Sequence, residues 1–87
     1  MHKRGSEMHK NVLIKNIDKI HTTEMGVGRI KKNLEINMDA VSYCISKIKK
    51  EESKVSRKGK NYYVEVDGCI ITVNASNFTI ITAHKLK

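Results

Sequence analysis

The C-terminal third of the chain alternates apolar and polar residues with the period of two that is typical of β-strands. Two such runs, residues 61–66 and 69–74, are separated by Asp67 and Gly68, a strong signal for a two-residue hairpin turn. A short turn separates the second run from a third, residues 78–84. The pattern therefore predicts an antiparallel meander.

The two-residue turn also sets the register of the predicted hairpin, and the register decides which side chains share a face. Three apolar pairs come to lie on one face, which we expect the helices to cover: Val66 with Cys69, Val64 with Ile71, and Tyr62 with Val73. The opposite face carries Tyr63, Glu65, Ile70, Thr72 and Asn74.

The face of the last strand depends on the second turn. We expect the register that places Asn74 opposite Phe78, because it puts Thr82 and His84 on the open face with other polar groups. In that register Ile81 and Ala83 point inward, while Phe78 and Ile80 are half exposed. One residue more or fewer in the turn would send Thr82 and His84 to the helix side.

Upstream, the apolar residues follow helical spacing in three segments. The first is residues 8–20; the second, residues 23–33, starts after threonines that suit an N-cap; the third, residues 38–52, follows Asn37, another capping residue. Their apolar faces comprise Leu13, Ile17 and Ile20; Val27, Ile30 and Leu34; and Val41, Cys44, Ile45 and Ile48. These segments predict two or three helices that cover the sheet.

Several shorter features complete the predicted architecture. Gly26 and Gly28 weaken the second helix by about 1 kcal/mol each, or permit a close approach of backbone or ligand. Residues 53–56 form a short edge strand or a loop, and residues 57–60 form an exposed turn. Residues 1–10 show no periodicity and repeat the tripeptide MHK, so we expect a disordered or leader segment there.

The predicted fold is thus a single α+β domain over residues 11–87. It has two or three N-terminal helices packed on one face of a three- to four-stranded antiparallel β-meander. A chain of 87 residues with 39% hydrophobic residues suits one domain with one small core.

The formal charge of +8 is concentrated in residues 46–60, which hold seven basic residues and two glutamates. A local excess of this kind attracts polyanions, RNA among them. The plainer interpretation is a solvated charge run that keeps the protein soluble.

Neither a metal, a cofactor nor a membrane is indicated as a partner. The histidines and cysteines lack the spacing of a zinc site, and Gly26-Val27-Gly28 lacks the Lys-Ser/Thr of a phosphate-binding loop. Cys44 and Cys69 suit free buried thiols in a reducing compartment. Because a secretory segment and a membrane-spanning apolar run are lacking in this sequence, we expect a cytoplasmic protein.

Acid–base chemistry on RNA is a reaction for which the sequence holds a sufficient, though not a specific, set of residues. Cleavage through the 2′-hydroxyl needs a proton acceptor, a proton donor and a cation on the phosphate, and histidine suits the proton roles. The candidates are His84, Thr82 and His21 for catalysis, and Arg57, Lys58, Lys60, Tyr63 and Asn74 for nucleic-acid binding. This prediction requires the open face and the basic residues to share one concavity.

The histidine and tyrosine candidates each have a plainer interpretation. His84 suits a surface histidine, and His21 suits a loop or capping residue between helices. Tyr62 and Tyr63 suit one core and one surface aromatic residue of a strand; the functional alternative is base stacking by the exposed ring.

Residues 17–24, 28–34, 57–64, 71–74 and 79–85 resemble a small bacterial family classed as a domain of unknown function, which implies no activity. At the level of architecture, helices followed by an antiparallel sheet with a histidine in its last strand resemble the barnase, colicin and RelE-type ribonuclease superfold. That resemblance implies His84 as acid or base, Thr82 and Asn74 as orienting groups, and Arg57, Lys58 or Lys60 on the phosphate. It also implies toxin-like activity.

Two functional hypotheses follow from these residues and resemblances. The first is RNA binding, with metal-independent ribonuclease or toxin-like activity. The second is a non-enzymatic protein-interaction module, such as a regulator or inhibitor that docks through its basic patch or sheet edge. A structural accessory role is the third and plainest interpretation, and the expected assembly is a monomer or a homodimer.

Overall fold

The structure is a computed structural model that describes the backbone of residues 4–86 and the side chains of residues 8–86. Its helices precede its strands along the chain. The helices are α1 (Arg4–Lys15), a 3₁₀ turn (Ile17–Lys19), α2 (Glu24–Leu34) and α3 (Ala40–Ile48). The strands are β1 (Lys54–Lys58), β2 (Asn61–Val66), β3 (Cys69–Asn74) and β4 (Ile80–Lys85).

The first predicted helix is divided into two pieces. α1 ends at Lys15, where the side chain of Asn16 donates to the carbonyl oxygen of Val12 at 2.9 Å, and a 3₁₀ turn follows. Asn16 favours such an end because its amide competes with the backbone for hydrogen bonds. α1 also begins at Arg4, within the segment predicted to be disordered or a leader, whose first three residues lie outside the described part of the chain.

The start of α2 is as predicted. The hydroxyl group of Thr23 accepts a hydrogen bond from the backbone N–H of Gly26 at 3.0 Å, so Thr23 is the N-cap. Ile30 and Leu34 are buried and Val27 is packed against the core. The helix ends at Leu34 because Glu35 adopts a left-handed conformation with φ of 58°.

The prediction for α3 was wrong at both ends. Asp39, and not Asn37, is the N-cap, since its carboxylate accepts from the backbone N–H of Ser42 at 2.8 Å. The helix stops at Ile48 instead of residue 52, because the hydroxyl of Ser53 donates to the carbonyl oxygen of Ile48 at 2.8 Å. The chain then turns directly into β1.

The four strands form one antiparallel sheet in the order β1-β2-β3-β4. The predicted register of the central hairpin is confirmed, with Val66 opposite Cys69 and Tyr62 opposite Val73. β1 extends to Lys58, so the exposed turn predicted at residues 57–60 is reduced to Gly59 and Lys60. Gly59 supplies the positive φ of 62° that this tight turn needs.

The pairing expected for β4, with Asn74 opposite Phe78, was wrong: the second half of the strand is shifted by two residues, which keeps Thr82, Ala83 and His84 on their predicted faces. His84 lies opposite Ile70, Thr82 opposite Thr72, and Ala83 is buried. A register shift between Thr72 and Val73 then inserts one residue into β4, so that Ile80 lies opposite Val73. The predicted orientations of Ile80 and Ile81 were therefore wrong: Ile80 is 1% exposed and Ile81 is 42% exposed.

The core lies between the helices and one face of the sheet. α2 packs against β4, α1 against β1, and α3 against β2, which makes a two-layer α+β domain. The buried apolar residues are Leu13, Ile20, Ile30, Leu34, Ala40, Cys44, Ile48, Val55, Tyr62, Val64, Val66, Cys69, Ile71, Val73, Ile80 and Ala83. Among the described residues, no helix is both long and apolar enough to cross a membrane.

Candidate functional site

The sheet face directed away from the core, here called the open face, presents three rows of side chains that are neighbours across the strands. The first row is Lys58, Asn61 and Asn74; the second is Ser56, Tyr63, Thr72 and Thr82; the third is Lys54, Glu65, Ile70 and His84. The helices pack on the opposite face, so Tyr63 and Ile70 are only partly buried. Thr72 is 6% exposed because Tyr63 and Thr82 flank it.

The predicted cations lie at the end of the sheet next to the first row. Residues 57–60, here called the basic turn, hold three basic residues, and residues 53–64 contain no aspartate or glutamate. Lys58 is on the open face, and Lys60 is exposed in the turn. Arg57 lies on the other face, where its guanidinium is 5.3 Å from the Tyr62 ring centroid and its Nε donates to the carbonyl oxygen of Gly59.

A second turn packs beside the basic turn. In residues 74–77, here called the asparagine turn, the Asn74 side-chain oxygen accepts from the backbone N–H groups of Ser76 and Asn77 at 2.8 and 3.0 Å. The N–H of Ala75 donates to the carbonyl oxygen of Lys60 at 2.8 Å. The two turns therefore form one continuous surface, here called the basic end.

The basic end carries positive charges that are not balanced by neighbouring carboxylates in the sequence. None of the three cations of the basic turn forms an ion pair with a described residue, and residues 68–87 contain no acidic side chain. Two other lysines of residues 46–60 are paired elsewhere: Lys47 and Lys50 both bind the carboxylate of Asp67, at 2.6 and 2.8 Å. The basic turn thus holds three of the five cations in residues 46–60 that form no ion pair with a described residue, and Lys49 and Lys54 are the other two.

The Asp67 cluster sits at the other end of the sheet, in the β2–β3 turn. Hydrogen bonds from Lys47 and then Lys50 lower the pKa of Asp67, and the same bonds raise the pKa values of both lysines. All three groups stay charged at neutral pH, so the cluster joins α3 to the hairpin with a net charge of +1, which Glu52, 3.5 Å from Lys50, offsets.

His21 lies beside the asparagine turn, and both its backbone and its imidazole ring form hydrogen bonds. Its backbone forms a bridge to Thr79, donating to the carbonyl oxygen of Phe78 and accepting from the N–H of Ile80. Its Nδ1 is 2.8 Å from the carbonyl oxygen of Lys19, which can only accept, so we assign the ring proton to Nδ1. In the neutral ring Nε2 then accepts from the Thr79 hydroxyl at 3.0 Å.

His84 and Thr82 are on the open face, as predicted, but the candidates do not converge. His84 is exposed in the third row on β4, whereas Lys58 is in the first row on β1. Two rows and three strand spacings separate their Cα atoms by roughly 20 Å. His21 is next to Thr79, five residues before His84, which corresponds to roughly 16 Å along the strand.

This separation matters because acid–base cleavage requires the proton donor, the proton acceptor and the cation to reach one phosphodiester group. The open face and the basic end are therefore adjacent surfaces, with His84 and Lys58 at opposite corners of the sheet. Thr82 and Tyr63 share the middle row, between the basic turn and His84.

The open face also contains a shallow hollow that sequence reasoning did not identify. Its volume is about 290 Å³, and it is lined by Lys54, Val55, Ser56, Tyr63, Glu65 and Ile70. Lys54 and Glu65 are directly opposite each other in the register. The turn at Gly59 and Lys60 sets the pairing of β1 with β2. A predicted β1 that reached residue 58 would therefore have indicated that Lys54 lies opposite Glu65.

The two cysteines do not form a reactive site. Both are free and buried. Burial, and secondarily the neighbouring Cys69, raises the pKa of the Cys44 thiol to about 12, so the nucleophilic thiolate is suppressed at neutral pH. Within residues 8–86, no three histidine, cysteine, aspartate or glutamate side chains are grouped as metal ligands.

Comparison with known proteins places most of the chain in one family. Residues 14–84 match the model of a family described as "Protein of unknown function (DUF3781)". No curated protein and no solved structure matches the chain.

Proposed function

The chain belongs to the DUF3781 family, whose description names no activity, and from its own surface chemistry we propose that it binds single-stranded RNA. The basic end would hold the phosphates and the open face would contact the bases. The observation that carries this proposal is the basic turn, whose three cations have no carboxylate partner among the described residues and which adjoins an uncovered sheet face.

The electrostatic part of the proposal rests on the position of the charges. Cations that are not already paired bind phosphates by releasing counterions, and this supplies most of the sequence-independent affinity for nucleic acid. Lys58 and Lys60 are exposed and close to the asparagine turn. The backbone N–H groups of the asparagine turn are used within the protein, so the side-chain NH₂ groups of Asn74 and Asn77 are the amides that would contact phosphates or sugars.

The second part rests on Tyr63, the aromatic residue of the middle row. Its half-buried ring lies two residues beyond Asn61 in the same strand and on the same face as Lys58. Aromatic side chains on an exposed sheet are stacking platforms for unpaired bases. A strand bound at the basic end can therefore continue over Tyr63.

Cleavage of the bound RNA by His84 and Thr82, and the toxin-like activity it would support, are part of the same hypothesis. A bacterial, cytoplasmic setting is also proposed, and the two free thiols support a reducing compartment. The alternative is a protein partner that docks through the basic turn or a sheet edge.

The test is RNA binding by fluorescence anisotropy with a labelled heptauridylate at several salt concentrations. We expect log K to fall with log salt, and the double variant Lys58→Gln/Lys60→Gln to reduce that slope by about 1.4, or about 0.7 for each phosphate that is no longer neutralised. The matched control is Arg29→Gln/Lys32→Gln, which removes two exposed charges from α2.

Absence of binding at every salt concentration would overturn the proposal and favour the protein partner. Equal losses in the two double variants would show that net charge, and not the basic end, is responsible. Incubation of longer RNA tests cleavage: product formation that disappears in a folded His84→Ala variant would support the enzyme, and intact RNA would limit the function to binding.

A further inference from the structure

The hollow on the open face has the size and lining of a site for one small planar group. At about 290 Å³ its volume is just below the usual range of ligand pockets, which is about 300–1,000 Å³. Tyr63 and Ile70 provide apolar surface, and both are partly buried, so they are in place before a ligand arrives. A flat aromatic group can stack on this surface with part of its edge left free for polar contacts.

The polar groups of the hollow are one ammonium group and one carboxylate. Lys54 and Glu65 are both exposed, both line the hollow, and lie directly opposite each other on β1 and β2. Neither forms an ion pair with a described residue. Ionised glutamate can only accept hydrogen bonds and lysine can only donate them, so together they favour a ligand edge with donors beside an acceptor.

Among the RNA bases, guanine matches that edge best. Its N1–H and exocyclic amino group are adjacent donors, which a carboxylate can accept together, and its O6 is an acceptor for lysine. Adenine directs the acceptor N1 at the carboxylate. Uracil offers one donor between two acceptors, and cytosine offers one donor group beside two acceptors. Only guanine uses both carboxylate oxygens and the ammonium group at once.

We propose that the hollow is a guanine-binding subsite, with Tyr63 stacking on the base, Glu65 accepting from N1–H and the amino group, and Lys54 donating to O6. The subsite rests on the proposed RNA-binding function, since it would give base preference to a strand held at the basic end. The hollow starts in the middle row, one row from Lys58, so the two surfaces are contiguous.

The test compares labelled RNA heptamers that consist of uridine except for the central base. We expect the heptamer with central guanine to bind at least about fivefold more tightly than those with adenine, cytosine or uracil, the low end of discrimination by a bidentate base contact. Guanosine monophosphate alone should shift the amide NMR signals of Tyr63, Glu65 and Ile70 more than the other three nucleotides do.

The decisive variant is Glu65→Gln, which replaces two acceptors by one acceptor and one donor at an exposed strand position. It should abolish the guanine preference, measured as the ratio of the affinities for the central-guanine heptamer and for heptauridylate in the same protein, because the added positive charge affects both RNAs alike. Glu51→Gln is the matched control: it removes the same charge from an exposed residue outside the hollow and should keep the preference.

Failure of this inference is distinguishable from failure of RNA binding itself. Salt-dependent binding with equal affinity for the four heptamers would overturn the guanine subsite and leave the proposed function in place. No binding of any heptamer, together with no nucleotide-dependent shifts in the wild type, would overturn both. A guanine preference that survives in folded Glu65→Gln would place the base elsewhere and contradict the subsite.

Discussion

The hydroxyl group of Thr22 donates a hydrogen bond of 2.9 Å to the carbonyl oxygen of Ile80, 58 residues further along the chain. The segment leading into α2 is thereby attached to the start of β4, beside the His21–Thr79 bridge. Gly26 faces this attachment, since a Cβ atom at that position would collide with the Thr22 hydroxyl oxygen. Gly28, on the same helix, has open space instead.

The two glycines of α2 should therefore respond to alanine with opposite signs. Gly28→Ala should stabilise the protein by up to about 1 kcal/mol, because alanine is the better helix former. Gly26→Ala gains the same helix propensity, but its Cβ displaces Thr22 and breaks the hydrogen bond to Ile80. We therefore expect a net loss of stability of about 1 kcal/mol. Urea unfolding measures both, and a similar gain in both variants would contradict the close approach of Gly26 to Thr22.

The bulge in β4 predicts a contrast between two adjacent isoleucines. Ile80→Ala should destabilise the protein by about 2–4 kcal/mol, because it leaves a cavity in the core, whereas Ile81→Ala should cost less than about 1 kcal/mol. Thermal or urea unfolding provides the comparison, and each variant is the control for the other. The reverse order would support an uninterrupted register with Ile81 in the core.

Asp67 should make stability depend on pH in the acidic range. Lys47 and Lys50 lower its pKa from the ordinary 3.8, so the folded protein holds the Asp67 proton less firmly than the unfolded chain does. The stabilisation is therefore present above the unfolded pKa and is lost as the pH falls through the folded pKa. We expect wild type to exceed Asp67→Asn in stability at neutral pH, with the difference shrinking below about pH 4.

Urea unfolding of both proteins across that pH range tests this prediction. Asparagine is the suitable replacement because position 67 has a φ of 50°, which asparagine tolerates. Asp18→Asn, at an exposed acidic residue without an ion pair to a described residue, controls for the loss of one negative charge. A stability difference that is the same at pH 7 and at acidic pH would refute the role of the lysine pair.

The Lys10 side chain should contribute more to stability than an ordinary surface lysine does. Its ammonium group is 2.7, 3.1 and 3.3 Å from the carbonyl oxygens of Lys50, Glu51 and Ser53, where the chain leaves α3. Lys10→Met removes the donor from these carbonyls and should cost about 1–2 kcal/mol. Lys15→Met, at an exposed position in the last turn of α1, should change stability by only a few tenths of a kcal/mol.

Equal stability of these two lysine variants would mean that residues near Lys10 add little to the domain. That outcome would agree with the leader segment expected at residues 1–10. A larger loss of stability for Lys10→Met would instead show that the end of that segment is part of the folded domain.

The features that could be predicted from the sequence are those that interactions between residues close in the chain determine. Asp67-Gly68 closes a two-residue hairpin and thereby sets which residues of β2 and β3 face the helices, so the register and most of the core followed from local pattern. Thr23 as the cap of α2 followed from the same kind of rule. The α+β class could be predicted from the order in which helical and strand periodicities occur along the chain.

Tertiary contacts decided the features that depend on distant parts of the chain. One inserted residue in β4 exchanges the environments of Ile80 and Ile81. The ends of α3, in contrast, depend on local hydrogen bonds of Asp39 and Ser53 that the spacing of apolar residues does not predict. The separation of His84 from the basic turn also depends on distant parts of the chain, since it follows from strand order and length. Residue composition supplies candidate groups, but only the pairing of strands determines which of them lie within reach of one ligand.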